Sequence, residues 1–151
     1  MSKATHFLLY VLVFAVGAAA GGYVGFRAAE SRALMNEVSE VAHYSALLDV
    51  QQSKGNDAAY EEALRGYLAV LERHKGSESP LLSGKVIAVD TALTYARLSA
   101  LALKRGSHDD AKERLSRAVT LCPQLQWQEC SGETITAVAQ RLDKRGLVGG
   151  K

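Results

Sequence analysis

The stretch YARLSALALKRGSHDDAKERLSRAVTLCP, residues 95–123, decides the fold class. Its apolar side chains recur every three or four residues on both sides of Gly106, which is the spacing of two amphipathic helices separated by a turn. The small residues Ala111 and Ala118 share one face of the second helix, where a neighbouring helix can approach closely. The stretch therefore predicts a helical hairpin that stops at Pro123.

The same periodicity extends in both directions from this hairpin. Hydrophobic residues make up 48% of the 151 residues and only two are proline, so a packed helical core is expected rather than a β sandwich. Asn56 or Asp57 is the expected N-cap of one helix and Ser131 that of another. The third helix is apolar around much of its circumference, which predicts burial between neighbours. The predicted helices cover about residues 28–52, 58–74, 82–104, 109–121 and 133–144, an all-α fold.

The hairpin resembles a tetratricopeptide repeat. The spacings of the family's first helix are held by Tyr95, Leu98, Ser99 and Ala102, and those of its turn and second helix by Gly106, Ala111, Leu115, Ala118 and Pro123. Ala102 departs from the aromatic residue expected there. A more degenerate unit precedes it, in which Ala63 and Tyr67 match the second helix. Ala63 and Ala111 are 48 residues apart, more than the usual period of about 34.

The resemblance implies a short stack of helical hairpins over residues 58–123, closed by a polar-faced capping helix. Such stacks form a concave groove that holds a segment of a partner protein. The candidate groove residues are Tyr44, Tyr95 and Arg97. Membrane-anchored repeat proteins of this kind in bacterial envelopes serve as assembly or chaperone factors, and the resemblance implies that role here.

An uncharged segment near the N-terminus, FLLYVLVFAVGAAAGGYVGF at residues 7–26, is long enough to cross a bilayer as a helix. The alternative is a cleaved signal peptide, for which Ala18 and Ala20 give the small-x-small pattern. The run exceeds a typical signal core and only Lys3 precedes it as a basic residue, so we predict a retained transmembrane anchor.

Glycines recur at strict four-residue spacing within this segment. Gly17, Gly21 and Gly25 share one helix face, which Ala18 and Gly22 widen. Small residues in this register let two membrane helices pack closely, and the pattern predicts a helix-packing face. The competing interpretation is that glycine is simply common in membrane helices.

The two cysteines, Cys122 and Cys130, flank a short loop. Their spacing does not fit a CxxC redox pair, and two ligands are too few for a zinc site. In an exported domain they predict a disulfide that fixes the capping helix to the repeat. In a cytosolic domain they would be two thiols.

The charge pattern excludes several classes of function. Of the 18 basic side chains one, Lys3, precedes Phe26, and all 16 acidic side chains follow it, so the region after Phe26 is nearly balanced. No run of Lys or Arg exceeds two residues, which argues against a nucleic-acid partner. The pairs Glu61–Glu62 and Asp109–Asp110 are explained by the helix dipole. The four histidines are scattered, and with no catalytic or cofactor motif we predict no metal, no cofactor and no enzymatic activity.

The predicted organisation is an N-terminal tail, a transmembrane helix, a membrane-proximal helix and turn, helical repeats, a disulfide-linked turn with a capping helix, and a flexible tail, at residues 1–6, 7–26, 27–57, 58–123, 124–145 and 146–151. The cysteines and the short N-terminal tail favour a bacterial inner-membrane protein with its N-terminus inside and its C-terminal domain in the periplasm.

Three functions remain open at this point. The first is a membrane-anchored interaction module whose partners are proteins in or at the membrane, with the lipid bilayer as its support. The second is a non-catalytic subunit of a larger membrane complex, docked through the glycine face. The third is a homodimer formed through the transmembrane helix.

Overall fold

A computed structural model of the chain describes residues 35–36, 38–77 and 82–148, with backbone alone for 145–148. The chain divides into two units, Met1–Glu37 and Val38–Lys151, and the second is the folded domain considered below. The predicted membrane helix over residues 7–26, with its glycine face, lies outside the described residues.

The described residues are helical or lie in turns, with no β strand among them, so the all-α prediction is confirmed. Residues 38–53 are helical and form α1. The later helices are α2 (Asp57–Arg73), α3 (Gly84–Lys104), α4 (His108–Val119), the short α5 (Cys122–Leu125) and α6 (Gly132–Val148).

Local sequence signals account for most helix ends. The Asn56 side chain accepts a hydrogen bond from the Ala59 amide at 3.2 Å and caps α2. The Ser131 hydroxyl accepts one from the Thr134 amide at 3.1 Å at the start of α6. Gly106 follows the end of α3 and has a φ of +79°. This backbone conformation is strained for residues with a Cβ but not for glycine.

Two predicted ends differ from the structure. Pro123 was expected to stop the fourth helix, but α4 already ends at Val119 and Pro123 lies in the first turn of α5. Proline fits there because the first amides of a helix have no partner to lose. We also predicted a flexible tail from Gly146, whereas α6 continues through Val148.

Helix α3 is the centre of the domain. One core cluster joins it to α1 and α2 through residues such as Leu64, Leu71 and Leu98. A second cluster joins it to α4, α5 and α6 through residues such as Leu125 and Ile135. Ten α3 residues are buried, as its apolar circumference predicted.

By length and composition, α3 alone among the described residues could cross a membrane. In this fold ten of its 21 residues are buried by the neighbouring helices, as in a core helix, while Val86 and Leu103 are exposed.

The predicted disulfide between Cys122 and Cys130 is confirmed. Their sulfurs are bonded, and the Cα atoms lie 5.6 Å apart. Both cysteines pack against the second core cluster, as does the half-buried Trp127. The bond therefore ties the start of α5 to the residue that precedes the N-cap of α6.

Candidate functional site

One face of α3 lines a groove between α1, α3 and α6. Two adjoining cavities of about 240 and 180 Å³ lie along it and share Gln52, Tyr60 and Arg97. We call this feature the acidic groove. Its charged lining residues are Asp49, Asp57, Asp90, Asp143, Arg97 and Lys104, so carboxylates outnumber basic groups by two.

Both basic side chains of the acidic groove are already paired. Nε and Nη2 of Arg97 donate to Oδ1 of Asp143 at 2.8 and 2.7 Å. Burial works to lower the pKa of Arg97, but the hydrogen bonds to Asp143 and its charge prevail and raise it. Lys104 contacts Asp57 at 2.5 Å. In the described part of the chain, neither cation forms an ion pair with Asp49 or Asp90.

Among the described residues, the Asp90 carboxylate has one side-chain hydrogen bond, and its partner is a hydroxyl. Its Oδ2 accepts a hydrogen bond from the Tyr67 hydroxyl at 2.8 Å. Among the described residues it has no basic group within 4 Å, because Arg97 bonds to Asp143 instead. Burial raises the pKa of Asp90 against the opposing effects of the Tyr67 hydrogen bond and the Arg97 charge. An incoming cation would therefore stabilise the ionised form.

Tyr60 presents a neutral phenol to the same groove. The residue is 8% exposed, and burial raises its pKa to about 12, while Arg97 opposes the shift and the carboxylates of Asp143 and Asp49 reinforce it. The hydroxyl stays protonated at neutral pH and can donate a hydrogen bond. Together, Asp49, Tyr60 and Asp90 offer negative charge beside an aromatic ring, the surroundings that lysine and arginine side chains favour.

A second charged cluster lies on another face of α3. Glu61 on α2 is buried, and its carboxylate accepts hydrogen bonds from three guanidinium groups. Arg65 donates at 2.8 Å, Arg105 at the end of α3 donates to the other oxygen, and Arg114 on α4 donates two weaker bonds at 3.3 Å. We call these four residues the Glu61 cluster. It joins α2, α3 and α4, and its arginines carry two charges more than Glu61 neutralises.

The three predicted groove residues are not brought together. Arg97 lines the acidic groove. Tyr44 packs between α1 and α2, where its ring lies so close to Gly66 that a Cβ there would come within 2.7 Å of it. Tyr95 lies on another face of α3 and lines cavities beside α4.

The repeat positions taken from the resemblance occupy varied environments. Ala63, Tyr67, Leu98, Ala111 and Ala118 are buried. Tyr95 and Leu115 are half-buried and Pro123 is exposed. The Ser99 hydroxyl donates to the Ala111 carbonyl at 2.8 Å inside the contact between α3 and α4, so the small residues do lie where these helices touch.

The sequence analysis missed Asp90, Tyr60 and Glu61. Asp90 could have been noticed because it and Arg97 are the charged residues in the interior of an otherwise apolar helix. Glu61 was attributed to the helix dipole, but it is the fifth residue of α2 and faces inward onto arginines from two other helices. Contacts over 44 and 53 residues leave no local signal in the sequence.

No group of three or more His, Cys, Asp or Glu residues could hold a metal ion within the part of the chain that the structure describes. Comparison with protein families, with curated proteins and with solved structures finds no match to this chain.

Proposed function

We propose that this protein is a membrane-anchored interaction module whose acidic groove binds a basic segment of a partner protein. The observation that carries the proposal is Asp90, a half-buried carboxylate that borders a groove and lacks a basic partner within 4 Å among the described residues. A buried charge without compensation is unfavourable, and a cation supplied by a partner would compensate it.

The charge of the groove favours a basic segment over an acidic one. Arg97 and Lys104 are neutralised by Asp143 and Asp57, so Asp49 and Asp90 set the net charge that a partner meets. A lysine or arginine between these two carboxylates would also lie against Tyr60. Opposite charge favours the encounter and penalises acidic competitors.

The location of the module follows from two further inferences. Disulfides persist in oxidising compartments, and the bond between Cys122 and Cys130 supports export of the domain. Residues 7–26 would anchor it, with the N-terminus inside and the domain in the periplasm of a bacterial inner membrane. Anchoring raises the local concentration of partners in the same membrane, which suits a scaffold or assembly factor.

A peptide selection tests the proposal. The full chain in detergent micelles is immobilised and exposed to a phage-displayed library of random 12-residue peptides. We expect a pool enriched in lysine and arginine. Binding of these peptides should weaken about tenfold in the double variant Asp49→Asn and Asp90→Asn, because the charges that attract them are gone.

The matched control is Asp109→Asn, which removes an exposed carboxylate on α4 outside the acidic groove. It should leave binding unchanged. The proposal is wrong if the selected pool has no excess of basic residues, or if the double variant binds that pool as well as the unaltered protein does.

A further inference from the structure

A second groove lies between α2 and α4, on a different face of α3 from the acidic groove. Asp90, Arg97 and Lys104 line the acidic groove, whereas Tyr95 and Leu98 form the floor of this one. The cavity has a volume of about 270 Å³. We call it the arginine groove, and its basic lining residues are Arg65, Arg114 and Arg117.

Guanidinium groups of the Glu61 cluster reach into the arginine groove with donors to spare. Each guanidinium carries five N–H groups, and Glu61 has only two oxygens to share among three arginines. The side chain of Arg65 is 63% exposed and that of Arg114 is 16% exposed. Glu61 therefore fixes the position of the Arg114 guanidinium group, while most N–H donors of Arg65 remain accessible to a ligand.

The ordering of these side chains favours binding. Arg65 and Arg114 are both paired with the buried Glu61 carboxylate, so less side-chain entropy is lost when they meet a second anion. Planar guanidinium groups match the two oxygens of a carboxylate. The position is therefore prepared for an acidic side chain that approaches from the groove.

The rest of the groove restricts what can carry that carboxylate. Its floor includes the half-buried Leu68 and Tyr95, which offer apolar contact, and the buried Leu98. Its rim carries Asp110 and Glu113, of which Glu113 pairs with Arg117 at 2.6 Å. A phosphate-rich surface such as an anionic membrane or a nucleic acid would press against these two rim carboxylates. A short protein segment that places one acidic residue beside a bulky apolar residue brings only one negative charge into the groove and so avoids repulsion by Asp110 and Glu113.

We propose that the arginine groove is a second docking site, which binds a protein segment carrying an acidic residue next to a large apolar one. The acidic residue bonds to Arg65 and Arg114, and the apolar residue covers the half-buried Leu68 and Tyr95. This surface is separate from the acidic groove, and the two select segments of opposite charge.

The same peptide library tests this site independently. From the full chain in detergent micelles we expect a second pool, enriched in Asp or Glu adjacent to Leu, Phe or Trp. The double variant Arg65→Gln and Arg117→Gln should bind this pool about tenfold more weakly. It leaves Arg105 and Arg114 on Glu61, so the domain stays folded, which circular dichroism verifies.

Two controls separate this site from the acidic groove. Arg141→Gln removes an exposed arginine of α6 and should change nothing. The Asp49→Asn, Asp90→Asn variant should retain the acidic pool while it loses the basic one. The second docking site is refuted if no acidic pool is selected, or if that pool binds the Arg65→Gln, Arg117→Gln variant undiminished. Vesicles of phosphatidylglycerol should not displace the acidic pool. If they compete with that pool as effectively as its own free peptides do, a protein-segment site is refuted as well.

Discussion

Glu61 is a buried carboxylate and Asp90 is a half-buried one, and their surroundings distinguish a carboxylate that supports the fold from one that can bind a partner. Glu61 accepts hydrogen bonds from three arginines on three helices. Asp90 accepts a side-chain hydrogen bond from the Tyr67 hydroxyl, with no basic side chain within 4 Å in the described part of the chain. A carboxylate that is paired with several cations links the helices that carry them. A carboxylate without a cationic partner lowers the stability of the fold and can accept a cation from a partner protein.

The largest effect should come from breaking the better-paired carboxylate. Glu61→Gln leaves three guanidinium groups around a neutral amide, and we expect the free energy of unfolding to fall by about 3 kcal/mol. Thermal unfolding followed by circular dichroism measures the loss. The neighbouring Glu62→Gln, at an exposed position, should change stability by less than about 0.5 kcal/mol. Equal effects at the two positions would show that the arginines contribute nothing.

The next largest effect concerns the side of the domain that carries the acidic groove. Replacing both Cys122 and Cys130 by serine should cost about 2.5 kcal/mol, since the bond closes a short loop and limits the unfolded chain. Amide hydrogen exchange should quicken in α6, which carries Asp143, more than in α2, which carries Glu61. A uniform change over both helices would contradict a local role for the bond.

A smaller effect tests the turn that places Arg105 in the Glu61 cluster. Gly106 has a φ of +79°, and Gly106→Ala should destabilise the domain by about 1 kcal/mol because a Cβ is strained there. Gly84→Ala is the matched control, since Gly84 begins α3 with no positive φ and no atom within 4 Å of the added methyl group. In chemical unfolding experiments, the Gly84→Ala variant should be as stable as the unaltered protein or slightly more stable.

The smallest effect has the opposite sign. Asp90→Asn keeps an acceptor for Tyr67 and removes a half-buried charge, so stability at neutral pH should rise, on the order of 0.5 kcal/mol. Burial raises the pKa of Asp90 in the folded state. As the pH rises, the folded protein therefore keeps the proton on Asp90 after the unfolded chain has lost it. Its contribution to stability is therefore present at low pH and falls as pH rises from about 4, the unfolded value.

The pH dependence of Asp90 can be checked by measuring the thermal unfolding midpoints of the unaltered protein and of Asp90→Asn between pH 3 and pH 7. The advantage of the variant should grow as the pH rises. An advantage that is greatest at the lowest pH would mean that Asp90 is stabilised, not strained, by its surroundings.

The helices themselves were largely predictable from the sequence. Regular 3-4 spacing, the Asn56 and Ser131 caps and Gly106 act over a few residues, so α2, α3, α4 and α6 lie within a few residues of their expected bounds. The Cys122–Cys130 bond was predictable for the same reason, because the two residues are eight positions apart.

The charged sites were less predictable because they depend on how helices are placed around α3. Arg97 was predicted to lie with Tyr44 and Tyr95 in the groove of a repeat stack, whereas the structure places it in the acidic groove beside Asp143, 46 residues away. Tyr95 was grouped with Arg97 although two residues along a helix separate their directions by about 200°. No pattern within α2 distinguishes the buried Glu61 from the exposed Glu62.

The position of Asp90 and Arg97 within α3 also bears on how the protein is made. If the domain is exported as proposed, α3 passes through the translocation machinery before α4 and α6 exist to cover it. A segment as long and apolar as α3 could then insert into the lipid as an unintended second span. Each ionised side chain near the middle of such a segment adds about 3 kcal/mol to the cost of insertion. The residues that border the acidic groove in the finished domain would thus help the growing chain to reach the correct side of the membrane.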